Sequence, residues 1–323
     1  MSTTRDPLYL LLRDPRFLEL VSEGTEDSDR MTFASEKLTF DFIKKELGQI
    51  LGLASFGPGQ PNNDTVLWDK QLEGGYGRVV QIVPTNEHPV PFVRDGITHE
   101  NWTDCKLAVK VIKVNPDVPE YRQCARFVRE SIACSKLEHR NITPLIGLWC
   151  GFNDNYSLLP SLVSPWIEGG NLYHYINEDS ATHVQNQTGK HTPIKTRLFF
   201  LHEVMLALQY MHNQEIQVVH GDVRTHNILI QDRHASVCDF GLSRIVGPIS
   251  GLTSSSMTNE RWLAPERINM YKATDKSDVY EFAVTFWNVV TGLIPMRLIE
   301  KLTHKTELSR PAEREIDWPV PSY

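Results

Sequence analysis

Two carboxylates and a carboxamide lie close together in the second half of the chain. "VVHGDVRTHNILI" (218–230) sets Asp222 and Asn227 five residues apart on a polar loop between two apolar, β-like runs. "CDFGLS" (238–243) then places Asp239 just before a glycine. A carboxylate on such a loop can accept or orient a hydroxyl proton. A carboxamide oxygen and a second carboxylate are hard donors suited to Mg²⁺. The loop also carries His220, Gly221 and Arg224. Taken alone, an Asp/Asn loop is more often explained by turn chemistry; the order and spacing of all three groups point to a metal-assisted reaction at a hydroxyl.

Such groups need a scaffold, and the chain has the length for one. Its 323 residues are 41% hydrophobic and 23% charged, as in a soluble globular protein large enough for two lobes. A net charge of −7 argues against nucleic acid or an anionic membrane as the main partner. No apolar run reaches the roughly 18–20 residues of a membrane span. The five cysteines are scattered and form no C-x-x-C, which disfavours a disulfide or zinc framework. They fit buried small hydrophobes in a reducing, intracellular compartment.

The pattern divides the chain at about 64 and 168. Residues 1–64 read as a helical extension and linker. Phe40, Ile43, Leu47, Ile50 and Leu51 recur at helical spacing, and "SFGPGQPNND" (55–64) is a turn-rich linker. That helix either packs on the following domain or docks a partner. Residues 65–168 favour strands: 65–83 around a glycine turn, "LAVKVIKV" (107–114), and a hairpin flanking "NDNYS" (153–157). A helix over 120–139 interrupts them. Residues 169–323 are helical in pattern. "TRLFFLHEVMLALQYMH" (196–212) repeats apolar residues at 198, 201, 205 and 208. "SDVYEFAVTFWNVVTG" (277–292) is apolar nearly all round, which predicts a buried helix. The stretch 177–195 reads as an exposed polar insertion.

With these motifs in order, residues 65–295 resemble the eukaryotic protein kinase family, whose motif set is His-Arg-Asp loop, Asp-Phe-Gly, glycine loop, strand lysine and helix glutamate. The resemblance implies an α+β, two-lobed fold with a β-rich N-lobe that binds ATP and a helical C-lobe. By it, Asp222 is the catalytic base, and Asn227 and Asp239 hold the Mg²⁺ ions that bridge the ATP phosphates. "LEGGYGRV" (72–79) is similar to the glycine loop, with Gly74, Gly75 and Gly77 over the phosphates and Leu72 where a first glycine belongs. Lys110 resembles the phosphate-contacting lysine, and Glu130 the partner that holds it. Val79, Ala108 and Leu229 would sandwich adenine, with Ser164 as gatekeeper and the backbone of Pro165 and Ile167 as hinge. "RWLAPE" (261–266) resembles the end of the activation segment, and Asp278 the aspartate that braces the catalytic loop.

Departures from the family pattern carry their own expectations. Gly221 stands where the family has an arginine that reads an activation-loop phosphate. Its loss implies activity without that phosphorylation. Arg224 stands in place of lysine two residues past the base, where it would help balance phosphate charge. With "RWLAPE", this places the chain nearest the tyrosine-kinase-like group, a protein Ser/Thr hydroxyl being favoured and Tyr left open. Only 31 residues follow Gly292 (323 − 292), which implies a shortened C-lobe with exposed apolar surface. The partners implied are a protein substrate and, for the extension, a docking partner, with no nucleic acid and no membrane span, in the cytoplasm. Two rivals remain: a nucleotide-binding scaffold without activity, supported by Leu72, Asn259 and the short C-lobe, and a small-molecule kinase on a related fold.

Overall fold

The computed structural model describes residues 21–22, 32–33, 39–56, 66–74, 77–85, 90, 92–94, 97–99, 106–150, 159–177, 192–215, 217–246, 261–267 and 272–295. Gly75, "NDNYS", the hydroxyl-rich segment 252–258, Asn259 and Arg310 lie outside these residues, as do most of the linker and of the polar insertion.

A short pair, β1 (Val21–Ser22) and β2 (Thr32–Phe33), precedes helix α1, which runs through three contiguous stretches, Phe40–Phe42, Ile43–Leu47 and Gly48–Leu51. The middle stretch is wound as a π-helix. Then come β3 (Ala54–Phe56), β4 (Val66–Gly74), β5 (Gly77–Ile82), β6 (Phe92–Arg94), β7 (Ile97–His99) and β8 (Leu107–Ile112). Helix α2 (Glu120–Lys136) separates β8 from β9 (Gly147–Trp149) and β10 (Ser161–Pro165). These strands form one eight-stranded sheet in the order β4-β5-β8-β10-β9-β3-β6-β7. All its pairings are antiparallel except β3 with β9.

The second half is helical around two small ribbons. It holds α3 (Leu172–Asn177), α4 (Ile194–His212), β11 (Gln217–Val219), β12 (Ile228–Gln231), β13 (His234–Val237), β14 (Arg244–Val246) and α5 (Asp275–Thr291). β11 pairs with β14, and β12 with β13. The fold is therefore the two-lobed α+β arrangement that the motif order implied.

Alternation along β8 explains how the sheet serves both a core and a cleft. Leu107, Val109 and Val111 are buried, whereas Ala108, Lys110 and Ile112 are only half-buried. In a strand, successive side chains point to opposite faces. The first set packs with Val80, Ile82, Val163, Phe56 and Trp149 in one core. The second set shares a face with its register partners: Val79 and Leu162 flank Lys110, while Gln81 and Ser164 flank Ala108.

One sequence expectation is met here and two change, in α4 and α5. The apolar face of α1 packs within the chain, the first of the two readings given for it: Ile43, Leu47 and Leu51 are buried in the main core with α2. In α4, Met205 is exposed, and the buried residues are Phe200, Leu201, Val204, Ala207, Leu208 and Met211. The stripe lies to one side of the predicted one because Glu203, also buried, turns inward to bond β13. In α5 the expectation of a buried apolar helix is reversed. Its buried residues are Ser277, Asp278, Glu281, Thr285, Asn288 and Val289, and Val279, Phe286 and Trp287 are exposed. Of the four described cysteines, all free thiols, Cys124 alone is fully buried. No helix among the described residues is long and apolar enough to cross a membrane.

Helix α5 begins at a capping box. The Thr274 hydroxyl accepts from the Ser277 N–H at 3.1 Å, and the Ser277 hydroxyl accepts from the Thr274 N–H at 2.9 Å. Gly292, at φ +70°, closes the other end in the left-handed conformation that glycine adopts without strain. Thr274→Ala should lower unfolding free energy by about 1 kcal/mol, the usual worth of such a cap, measured by chemical denaturation.

Candidate active site

Three elements bring the predicted groups together. β8 carries Lys110, α2 carries Glu130, and the turn after β13 carries Asp239. The Lys110 ammonium donates to Glu130 Oε1 at 2.6 Å and to Asp239 Oδ1 at 2.7 Å. The Glu130 side chain is only 6% exposed and Lys110 19%, whereas Asp239 is 38% exposed. Burial opposes the charge on Lys110, but the Asp239 and Glu130 carboxylates outweigh it and hold the pKa above that of an ordinary lysine. Burial likewise opposes the Asp239 charge, and Lys110 with the Gly241 N–H overcomes it, bringing the pKa down to about 2. Asp239 also sits at φ +63°, a left-handed conformation rare for a residue with a side chain and worth about 1–3 kcal/mol of strain. The bonds to Lys110 and to Gly241 N–H (3.3 Å) hold it there.

A hairpin explains the spacing of the other two groups. β12 and β13 pair from Ile228↔Val237 to Gln231↔His234, around a two-residue turn at Asp232 and Arg233. Both turn residues have positive φ (51° and 65°), the twist that suits a tight hairpin. The hairpin therefore returns the chain to its starting point: the Asn227 carbonyl accepts from the Cys238 N–H at 3.0 Å. Asn227 and Asp239, twelve residues apart in sequence, end on adjacent chain segments.

Asp222 and Asn227 are joined directly. Asn227 Nδ2 donates to Asp222 Oδ2 at 2.8 Å and to the Asp222 carbonyl at 2.9 Å. Arg224 Nε stands 3.6 Å from Asp222 Oδ2. Burial raises the Asp222 pKa, Arg224 opposes this, and the Asp239 charge adds to the rise. This environment suits a group that must take up a proton. The donor set also suits a hard divalent cation. The amide nitrogen of Asn227 is committed to Asp222, which leaves its Oδ1 as the metal donor, and Asp239 stays ionised. Among the described residues no group of three or more His, Cys, Asp or Glu is placed to hold a metal ion.

The positions expected to face a nucleotide are placed by strand register. The β4–β5 hairpin closes on Gly74↔Gly77, and Leu72 pairs with Val79 in extended strand, where a side chain carries no left-handed penalty. Gly77 runs so close to β8 that an added Cβ would stand 2.2 Å from the Val111 carbonyl oxygen. Val79, Ala108 and Leu229 are half-buried. Leu229 bridges to Asn171 just past the segment of Pro165 and Ile167, which joins the two halves. Ile167 offers its carbonyl to the Gly170 N–H at 3.2 Å, and Trp166 N–H donates to the Lys106 carbonyl at 2.8 Å.

The sequence reading singled out Asp278 but missed most of the support around it. The Asp278 carboxylate, fully buried, accepts from the His220 N–H, the Gly221 N–H and His212 Nε2, each at 2.8 Å. Further along the same face, Glu281 accepts from the Val223 N–H at 3.0 Å, and Thr285 donates to the Val223 carbonyl at 2.8 Å. Asn288 accepts from the Thr225 hydroxyl at 3.3 Å. Arg267 donates to Glu281 Oε1 at 2.6 Å and to the Gly221 carbonyl at 2.5 Å. The residues 278, 281, 285 and 288 recur at helical spacing. That polar stripe inside an apolar segment was the available signal. Gly221 has φ +77°, and a Cβ there would meet the Leu242 carbonyl oxygen at 2.7 Å. In this arrangement glycine suits the loop rather than breaking it.

A family profile described as protein tyrosine and serine/threonine kinase matches residues 73–317. The chain is 28% identical over 198 residues to serine/threonine-protein kinase CTR1 of Arabidopsis thaliana, covering 61% of this chain and 22% of that protein. It is 31% identical over 183 residues to wall-associated receptor kinase-like 10 of the same plant, covering 56% and 22%. Against the human serine/threonine-protein kinase TNNI3K it is 29% identical over 175 residues, covering 52% and 19%. The match thus spans about a fifth of each relative's length. The chain belongs to the protein tyrosine and serine/threonine kinase family.

Replacing Asp278 by alanine strands two buried backbone N–H groups and the His212 donor. We expect Asp278→Ala to cost at least about 3 kcal/mol in unfolding free energy, measured by denaturant titration.

Proposed function

We propose that this kinase-family chain is an active protein kinase that moves the γ-phosphate of ATP to a protein hydroxyl. The observation that carries the reading is the assembled polar set: Lys110 bound at once to Glu130 and Asp239, beside Asp222 bound to Asn227. Bound Mg²⁺ would neutralise phosphate charge and bridge the phosphates. Asp239 and the Asn227 carbonyl oxygen would hold it. Lys110, fixed by Glu130, would position the α- and β-phosphates, with the backbone of Gly74, Gly75 and Gly77 above them. Val79, Ala108 and Leu229 would enclose the adenine, and Pro165 and Ile167 would meet its edge through their backbone. Asp222 would orient the acceptor hydroxyl and accept its proton, while Arg224 balances charge next to it. Placing these groups accounts for most of the rate in this chemistry.

A serine or threonine acceptor is the better-supported choice, because CTR1 and TNNI3K are named as serine/threonine kinases. Arg224 and "RWLAPE" support a place in the tyrosine-kinase-like group. Gly221 cannot supply a side chain to an activation-loop phosphate, so activity should be independent of that phosphorylation. An intracellular setting is part of the proposal and rests on the unpaired thiols. The rival reading, a nucleotide-binding scaffold, draws on Leu72 and Asn259, but it leaves the Asp222–Asn227 arrangement without a use.

The test is labelled phosphate transfer from Mg-ATP to a generic protein substrate. Asp222→Asn should reduce kcat by about 10²–10⁴-fold, as expected for loss of a general base, and Lys110→Met should also abolish measurable transfer. Alanine at Thr253, Ser254, Ser255, Ser256 and Thr258 together should leave transfer near wild type. Nucleotide binding without transfer by wild type would favour the scaffold.

A further inference from the structure

Helix α1 lies outside the motifs of the site, yet it is fastened to the helix that carries Glu130. Its inward residues Ile43 and Leu47 are fully buried and Leu51 is 2% exposed. They share one core with Cys124, Ala125, Val128 and Ile132, the stretch of α2 that flanks Glu130. Polar bonds tie the helices at both ends. The Phe40 N–H, at the start of α1, donates to Glu120 Oε1 at 2.7 Å, at the start of α2. At the far ends, Lys136 Nζ donates to the Leu51 carbonyl at 3.1 Å. The two helices therefore run in the same direction.

The same segment is also fastened to the sheet. Directly after α1, β3 pairs in parallel with β9, Ala54 opposite Gly147. Its entry is fixed by the Ala54 N–H, which donates to the Ile146 carbonyl at 3.3 Å. Cys150, just past β9, donates its thiol to the Lys44 carbonyl at 3.4 Å. Residues 40–56 thus join α2 to the sheet that carries Lys110. The ion pair between Lys110 and Glu130 spans those same two bodies, with both charges mostly buried. A buried pair of this kind returns its desolvation cost only when the geometry is held closely.

From this we propose that the segment 40–56 is a built-in brace that sets the position of Glu130 against Lys110, with Ile43, Leu47, Leu51 and Lys136 as positioning residues. The inference rests on the phosphotransfer reading for its activity measurement alone.

The test uses the full chain carrying Ile43→Ala with Leu47→Ala, and separately the milder Lys136→Met. Each is made in wild type and in a Glu130→Gln background. Hydrogen–deuterium exchange over residues 124–134, Mg-ATP affinity, kcat, and KM for ATP and for protein substrate are measured. Loosening α2 should raise exchange over 124–134 by about tenfold in the double variant, and by less in Lys136→Met. ATP affinity and kcat should fall by about tenfold, with KM for the protein substrate unchanged. In the Glu130→Gln background the same substitutions should cost little more, because the brace acts through that carboxylate. Unchanged exchange in a folded variant would overturn the proposal. So would equal losses in both backgrounds, which mark a merely structural helix. If the double variant does not fold, Lys136→Met decides by the same criteria. If wild type binds ATP but transfers no phosphate, the active-kinase reading fails, and exchange and ATP affinity still decide the brace.

Discussion

The loop that carries Asp222 depends on one buried carboxylate. Asp278 is fully excluded from solvent and carries three donors, two of them consecutive backbone N–H groups of the loop. A short loop between β11 and the Asn227 turn has no ladder of its own to satisfy its backbone. An unpaired buried N–H costs about 1–3 kcal/mol, so the loop takes its shape from whatever accepts those bonds. Helix α5 accepts them through a row of polar side chains one helical face wide. This inverts the usual order of a core helix. Polar residues face inward because they bind backbone, and Val279, Phe286 and Trp287 are left outside.

Lys110 plays the matching part in the other half of the site. It is the point at which β8, α2 and the Asp239 turn meet. Its charge is compensated twice, so it stays an ammonium despite burial. The same contacts keep Asp239 ionised and in a strained left-handed conformation. Strain of about 1–3 kcal/mol is tolerable where two strong bonds fix the residue, and here they leave the carboxylate partly exposed, where a cation can reach it.

Much of this was legible in the chain itself. Spacing singled out Asp222, Asn227 and Asp239, while Lys110 and Glu130 came only from the resemblance to the kinase family; the structure bonds Lys110 to Glu130 and Asp239, and Asp222 to Asn227. The strand over 107–114 was legible as a β-like run, and the structure's alternation along it sets the face of Lys110. The role of α5 was not legible by the same means. Apolar content alone predicts a buried helix, and content does not say that the interior beside it is exposed backbone. Only the recurrence of Asp278, Glu281, Thr285 and Asn288 carries that information. Arg267 escaped notice for a different reason: its partners, Glu281 and the Gly221 carbonyl, are 14 and 46 residues away, and no local period reports them. Gly221 invited a reading of loss, since the sequence showed only an absent arginine. Its backbone angle and the nearby Leu242 carbonyl show a position suited to glycine.

The two halves of the site are thus held by different physics. The loop that carries Asp222 is held by charged and polar groups bonding to backbone, which are directional. Helix α2 is held largely by apolar packing against α1, which is strong but poorly directional. A helix held by packing alone could slide or rotate at small cost. The bonds at its two ends, Glu120 to Phe40 and Lys136 to Leu51, supply the direction that packing lacks. Glu130 lies between these ends, and its reach to Lys110 is set by where both are anchored. On this view the part of the chain that precedes the glycine loop belongs to the machinery of the site, because it fixes the register of a helix whose one inward carboxylate cannot be misplaced without leaving Lys110 bound to Asp239 alone.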